Sequence, residues 1–472
     1  MARLSTAGAS SLSRARDIGT FNGHDAITGQ KVHPNPFKRH RKGESPAPAR
    51  SWTGGRGYDN GKGQTNRTAP AEGTNHLPRK TIVSSHKVIK TIAEINERIK
   101  KGKAVVLNAE EMVEAVRRMG PEKAAREVDV VTTGTFSPMC SSGLLFNIGQ
   151  PEPPKIRTTK VWMNDVPAYA GLAAVDAYLG ATELPEDDPQ NKVYPGQFKY
   201  GGAHVIEDLV AGRSVHLRAA SYGTDCYPRR ALDRTITLAD LAFAQLLNPR
   251  NCYQNYNAAV NCTSRTIYTY MGPLKPDMRN VNFATAGCLS PLFNDPWFRT
   301  IGTGTRIFLG GGQGYVIGAG TQHDPSPQRT EKGLPLSGSG TLMVRGDLKG
   351  MKPRYLRGLS LTGYGVSLAV GVGIPIPILN EDMAAFTGVS NEDILMPVKD
   401  YGYDYPNGLP RIIQHVRFSD LLSGEVEIQG RKIPTVPLTS HVISLEIADT
   451  LKAWIGKGEF LLTEAVDRIP AY

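Results

Sequence analysis

Between Thr91 and Thr133 helix and strand signals alternate at short spacing, and this alternation limits the fold more than any other feature of the chain. "TIAEINERIKKG" opens on a capping box, Thr91 with Glu94, sets Ile92, Ile95 and Ile99 on one face, and stops at Gly102. "AVVLN" (104–108) reads as a short strand. Asn108 then caps "AEEMVEAVRRM", a helix that Gly120-Pro121 is expected to end, and "VDVVTT" (128–133) follows as a buried strand. Further along, "AHVIEDLVAG" (203–212) has a helical pattern and "RSVHLRAASYG" (213–223) a strand pattern. Strands alternating with helices predict an α/β fold, with mixed sheet or sheets flanked by helices and the strand order left open.

The first 80 residues do not share this pattern. They hold 11 Gly and 6 Pro but only eight Leu, Ile, Val or Phe, too few to build a core. A disordered, basic, Gly/Pro-rich extension is therefore expected over 1–85, ahead of one folded domain over 86–472. The net charge of +11 belongs largely to that extension, which has 14 of the 55 Lys and Arg but only 5 of the 44 Asp and Glu. The body is close to neutral, so charge gives no reason to expect nucleic acid or a membrane as partner. The cluster "KRHRK" (Lys38 to Lys42) reads as a solvated run in a floppy tail. The longest apolar stretch, "LAVGVGIPIPIL" (368–379), is too short to span a bilayer and carries two prolines. These features predict a soluble, cytoplasmic protein.

Five cysteines, Cys140, Cys226, Cys252, Cys262 and Cys288, stand 86, 26, 10 and 26 residues apart, with no C-x-x-C. That pattern argues against a secreted disulfide framework, a zinc ribbon or a self-contained iron–sulfur motif, and no metal site is expected. Two of the five follow strands. Cys140 lies in "TTGTFSPMCSSG", just past "VDVVTT", and Cys226 in "YGTDCYPRR", just past the 213–223 strand. Ligands gather beyond the carboxyl ends of strands in open α/β sheets. The thiolate is the reactive form of a cysteine, so a working thiol needs donors or a nearby cation. Hydroxyl residues and backbone N–H groups over 133–143 can serve Cys140, and Arg229 and Arg230 flank Cys226. Read from the residues alone, a thiol pair that carries and resolves a sulfur atom and two unrelated packed cysteines both stay open. Cys252, in the turn-like "NPRNCYQNYN", Cys262 and Cys288 read as small packed residues.

The glycine-rich "GTGTRIFLGGGQGYVIGAG" (302–320) holds neither phosphate-binding register, which leaves a substrate loop and a structural turn as equal readings. Of the isolated histidines, His204 and His216 read as scaffold, and His323 is better placed because it follows the glycines.

The segments "VTTGTFSPMCSSGLLFNIG", "VWMNDVPAYAGLAAVDAYLGAT", "YGGAHVIEDLVAG", "YGTDCYPR", "NDPWFRTIGTGTRIFLGGGQGYVIGAGTQH" and "LTGYGVSLAVGVGIPIPILNE" together resemble the homocysteine biosynthesis family, from about residue 88 to the C-terminus. The resemblance implies an L-aspartate semialdehyde sulfurtransferase. Its two essential cysteines fall on Cys140 and Cys226, acting through a persulfide and a two-cysteine relay. A carboxylate-bearing substrate implies an arginine clamp, for which Arg229 and Arg306 are candidates, with Asp225 and His323 as further substrate-binding residues. Some members of the family carry a C-terminal pair of cystathionine-β-synthase-type domains or a ferredoxin-like domain, and neither is expected here. The resemblance thus implies no cofactor bound by the chain, an external electron donor, plausibly a separate ferredoxin-like [4Fe–4S] protein, and a homo-oligomer as one option. Competing functions are a persulfide carrier that hands sulfur to another protein, and a related sulfurtransferase acting on a different small carbonyl.

Overall fold

The opening alternation folds as its caps and apolar faces require. In the computed structural model, which describes residues 86–252, 254–404 and 407–471, the helix Ile92–Lys100 starts at the Thr91–Glu94 capping box and buries Ile95 and Ile99. The second helix, Ala109–Glu127, starts from the reciprocal Asn108–Glu111 cap. It does not end at Gly120-Pro121. Gly120 takes φ 76° and ψ 161°, which kinks the axis, and Pro121 then begins a second helical segment that runs to Glu127. Proline suits that position because the first turn of a helix has no use for its missing N–H. The expected extension over 1–85, with its Lys38–Lys42 cluster, lies outside the described residues.

The strand Val106–Asn108 pairs in parallel with Val130–Thr132, which takes Pro375–Pro377 antiparallel on its other side. Most of the remaining strands are antiparallel, so the fold is mixed α/β with few helices and several sheets. Nine strands make the largest sheet. Its spine runs Leu356–Leu361, Gly365–Gly373, Arg306–Leu309, Gly312–Ala319, Leu342–Asp347, Phe243–Asn251, Gly143–Asn147 and Asp176–Gly180, and Thr135–Pro138 adds to the flank of Gly365–Gly373. A six-stranded mixed sheet is centred on Ala258–Val260 and Val281–Phe283, and a four-stranded antiparallel sheet includes Val215–Ala220.

Apolar burial follows the sheets. The strand Gly365–Gly373 is buried along its whole length, as the unbroken apolar run of its sequence requires. The glycine-rich stretch 302–320 is a hairpin. Arg306–Leu309 and Gly312–Ala319 pair antiparallel across Gly310-Gly311, both at positive φ, the geometry that a two-residue hairpin turn demands. Of its two readings, the structural turn is the one formed. "GVGIPIPIL" likewise forms the end of one buried strand and the start of another. Among the described residues no helix is long and apolar enough to cross a membrane.

The C-terminal helix His441–Gly456 fixes the strand that leads to Cys140. Its cap residue Ser440 donates its N–H to the Phe136 carbonyl (3.0 Å), and Ser444 Oγ accepts the Phe136 N–H (3.1 Å). The approach is so close that a Cβ on Gly134 would fall 2.0 Å from the Ser444 carbonyl oxygen. Only glycine lets strand and helix meet there.

Candidate active site

Cys140 occupies the tight turn between Thr135–Pro138 and Gly143–Asn147, and the hydroxyls of Ser137, Ser141 and Ser142 around it each have a partner. The ladder with Gly365–Gly373 continues one residue past the strand, with the Met139 N–H donating to the Leu368 carbonyl (2.8 Å). Ser142 closes the turn by donating its hydroxyl to the Met139 carbonyl (2.7 Å) and accepts from Asn248 Nδ2 (2.8 Å). Ser141 donates to the Arg250 carbonyl (3.2 Å), and buried Thr439 Oγ1 donates to Ser137 (3.0 Å). The run "TFSPMCSSG" is thus a set of backbone and side-chain ties that hold one sulfur in place.

That sulfur is partly buried and faces two more hydroxyls. Ser367 Oγ, wholly buried on the Gly365–Gly373 strand, lies 3.2 Å from Cys140 Sγ, and the Tyr364 hydroxyl donates to Sγ across 3.8 Å. Burial, and next the charge on the Cys140 sulfur, push the Tyr364 hydroxyl well above the ordinary tyrosine range. It therefore keeps its proton and remains a donor. Hydrogen bonds to a sulfur anion favour the charged form, so this arrangement suits a thiolate or a persulfide anion.

In front of the sulfur lies a cavity of about 300 Å³. One wall comes from the nine-stranded sheet, through Thr135, residues 137–141, Arg250, Cys252 and Tyr364. The facing wall comes from the ends of the six-stranded sheet. Ala284 and Thr285 follow Val281–Phe283, Leu438 and Thr439 follow Arg431–Pro437, and those two strands are parallel. Ligand space beyond strand carboxyl ends is the expected position in a sheet containing parallel strands, although the relevant sheet is not the one that carries Cys140. Tyr270 joins the walls, its ring 6.1 Å from Tyr364 and its hydroxyl 2.5 Å from that of Tyr401.

The fold does not gather the other expected site residues around this cavity. Cys226 and Asp225 are exposed on the 221–230 loop. The loop is closed by the Ser221 N–H on the Arg230 carbonyl (2.8 Å), and Arg229 ties it to the chain after Gly143–Asn147. The Arg229 guanidinium donates to the Pro154 and Glu152 carbonyls (2.9 Å each), which makes it a strut for that loop. Cys140 precedes the Gly143–Asn147 strand, whereas the Cys226 loop packs beyond its far end. Both cysteines are free, and Cys226 is not part of the cavity wall.

Arg306, on the strand Arg306–Leu309, places its guanidinium over Phe460, 5.7 Å from the ring centre, and is not part of the cavity wall. His323 is held at both nitrogens. Nδ1 accepts the Thr341 N–H (3.1 Å), which leaves Nε2 to donate to the Pro470 carbonyl (2.7 Å). Its neighbour Gln322 reaches the cavity. His204 stacks on Tyr200 and His216 meets Asp233 (2.8 Å), as scaffold histidines do.

Burial makes each of the remaining cysteines harder to ionise than an ordinary thiol. Burial holds the Cys252 thiol far above the usual thiol range and pushes Cys288 up to about 12. Cys262 is pushed up to about 11, by partial burial first and then by the charge of Asp400. Cys252 nonetheless lines the same cavity as Cys140, which a sequence reading could not have foreseen. Residues 248–251 of its segment end the strand Phe243–Asn251, and Cys252 follows in a bend at φ 52°. Among the described residues no three His, Cys, Asp or Glu side chains converge as metal ligands would.

Comparison with known proteins identifies the family of the chain. Residues 104–462 match the family described as "Homocysteine biosynthesis enzyme, sulfur-incorporation". The chain belongs to that family. A Methanosarcina acetivorans protein named L-aspartate semialdehyde sulfurtransferase is 51% identical over 385 residues, covering 81% of this chain and 72% of its own. A Methanocaldococcus jannaschii protein of the same name is 49% identical over 395 residues, covering 81% and 74%. A Methanothermobacter thermautotrophicus relative without an assigned activity is 31% identical over 344 residues, covering 71% and 72%. No solved structure matches the chain. Family and relatives together make this chain a sulfurtransferase.

Proposed function

We propose that the chain transfers sulfur onto the aldehyde carbon of L-aspartate semialdehyde to form homocysteine, and that Cys140 carries the sulfur as a persulfide. The observation that bears this reading is the position of Cys140 Sγ at the wall of a small cavity, with the Ser367 and Tyr364 hydroxyls turned toward it. The shared name of the two close relatives supports the choice of aldehyde.

The reaction balances as follows. A sulfane donor passes a sulfur atom to the Cys140 thiolate and leaves as a thiol, giving Cys140–S–S⁻. The terminal sulfur attacks the aldehyde carbon, and the carbonyl oxygen takes a proton from the Tyr364 hydroxyl. A second thiol, Cys226, attacks Sγ of Cys140, which forms the Cys140–Cys226 disulfide and releases the hemithioacetal. Loss of water gives a thioaldehyde, and two electrons and two protons reduce it to the thiol of homocysteine. Two further electrons and two protons restore the cysteines. All four electrons come from outside, and a small ferredoxin-like [4Fe–4S] protein is the proposed donor. For the second thiol to reach Sγ, the 221–230 loop leaves its seat on residues 152–155, or a second copy of the chain presents it. Asp225, beside Cys226, would arrive with the loop.

The test is anaerobic turnover of purified protein with aspartate semialdehyde, a sulfane donor and a strong low-potential reductant, read as homocysteine by mass spectrometry. Homocysteine is expected, and Cys140→Ala is expected to make none. A stable persulfide that no aldehyde discharges would instead favour a sulfur carrier.

A further inference from the structure

The cavity in front of Cys140 has one formally charged residue in its described wall, Arg250. We infer that Arg250 binds the carboxylate of the substrate and sets the specificity of the site for a carboxylate-bearing aldehyde. This inference rests on the proposed reaction for the identity of that aldehyde, but not for the anion site itself.

The backbone around Arg250 is built to present it. Strand Phe243–Asn251 runs in register with Leu342–Asp347 up to the pair Asn248–Val344, then slips, so that Asn251 faces Leu342. Pro249 falls inside the slip. It has no N–H for the ladder, and a bulge of this kind redirects the next side chain out of the sheet. Asn248 Oδ1 accepts the Arg250 N–H (3.1 Å), and the Arg250 carbonyl accepts the hydroxyl of Ser141, the residue after Cys140 (3.2 Å). The turn that holds the sulfur and the residue that holds the cation are therefore tied by one hydrogen bond. Among the described residues Arg250 enters no ion pair, and no Asp or Glu lines the cavity to neutralise it. A guanidinium grips a carboxylate through two parallel hydrogen bonds, which would fix the position of the aldehyde as well as its charge.

The experiment compares wild type, Arg250→Gln and Arg250→Lys on aspartate semialdehyde and on 3-aminopropanal, which has the aldehyde and amine but no carboxylate. Wild type should prefer aspartate semialdehyde, and Arg250→Gln should lose that preference through a roughly 10- to 100-fold rise in KM for it alone. Arg250→Lys should recover part of it. Persulfide loading of Cys140 from the sulfane donor, followed by intact mass without aldehyde, should be unchanged in Arg250→Gln. Equal losses on both aldehydes, or a loading rate that falls with turnover, would assign Arg250 to the sulfur and overturn the inference. If wild type turns over neither aldehyde, the proposed reaction fails and calorimetry decides the anion site with L-2-aminobutyrate against propylamine. Binding of the acid by wild type and its loss in Arg250→Gln would sustain the site. No binding of the acid by wild type, or equal binding by Arg250→Gln, would overturn it.

Discussion

Cys140 and Cys226 hold the same kind of place in the sequence, a few residues past a strand, yet the fold surrounds one and leaves the other exposed. The Cys140 turn is met by Gly365–Gly373, by the 248–252 bulge and, across the cavity, by the six-stranded sheet. The Cys226 loop is tied by the struts of Arg229, by the Arg157 guanidinium on the Tyr222 hydroxyl (2.9 Å) and by its own closing hydrogen bonds. A fixed, partly buried sulfur with hydroxyl partners suits holding a reactive group. An exposed sulfur on a loop with few ties suits movement and exchange. In the proposed relay, this difference would divide labour between the two thiols.

The largest effect should come from breaking that division. Cys140→Ala should lower sulfur transfer by at least about a thousandfold, as loss of a nucleophile does, in both single and multiple turnovers. Cys226→Ala should leave persulfide loading and the first attack intact and stop release and recycling. Quenched-flow mass spectrometry on preloaded enzyme separates the two outcomes, and equal loss of loading in both variants would erase the distinction.

A smaller effect is expected at the hydroxyls that only the Cys140 side possesses. Tyr364→Phe removes the proton donor and should slow the first attack roughly 100-fold, with loading little changed. Because burial and the Cys140 sulfur raise the Tyr364 hydroxyl, it stays protonated above the ordinary value of 10.0, and the rate should show no fall on passing that pH. A rate that drops through pH 10 in step with an ordinary phenol would remove Tyr364 from the step.

Arg229→Ala probes the other side. It deletes two guanidinium-to-carbonyl bonds, so a stability loss of about 1–2 kcal/mol is expected in denaturant unfolding. Alkylation of Cys226 should quicken a few-fold, and KM for the aldehyde should stay near wild type. A rise in KM with unchanged alkylation would restore Arg229 to the substrate.

The gentlest test reads all five thiols at once. At pH 8 iodoacetamide should label Cys140 and Cys226 first, Cys262 slowly, and Cys252 and Cys288 only on unfolding. The folded pKa of Cys288 is raised above its unfolded value of 9.0, so the stability its burial supports is present below pH 9 and is lost as pH rises toward about 12. Thermal unfolding across pH 8 to 11 should show that decline, and Cys288→Ser should lessen it, with the raised thiols of Cys252 and Cys262 supplying the remainder.

Much of this was legible before any coordinates. The caps at Thr91 and Asn108 and the strand around Val130–Thr132 are local signals, and all three form where the residues put them. Cys140 could be marked because its small hydroxyl neighbours are contiguous in the chain. Arg250 could not, because Pro249 makes its strand read as a turn, and only the pairing with Leu342–Asp347 reveals a bulge. Tyr364 and Ser367 reach Cys140 from more than 220 residues away, across a strand pairing that no local pattern encodes. Arg229 and Arg306 carry the right charge for a clamp, but tertiary packing directs one to backbone carbonyls and the other to an aromatic ring.

The central claim is that the sulfur travels on Cys140, and the most direct measurement is intact and peptide mass after anaerobic loading with a sulfane donor, followed by an aspartate semialdehyde chase. The account predicts one extra sulfur atom on the Cys140 peptide in wild type and in Cys226→Ala, discharged by the aldehyde in wild type, held as the aldehyde adduct in Cys226→Ala, and absent in Cys140→Ala. An extra sulfur on Cys226 that survives Cys140→Ala and is discharged by the aldehyde would contradict it.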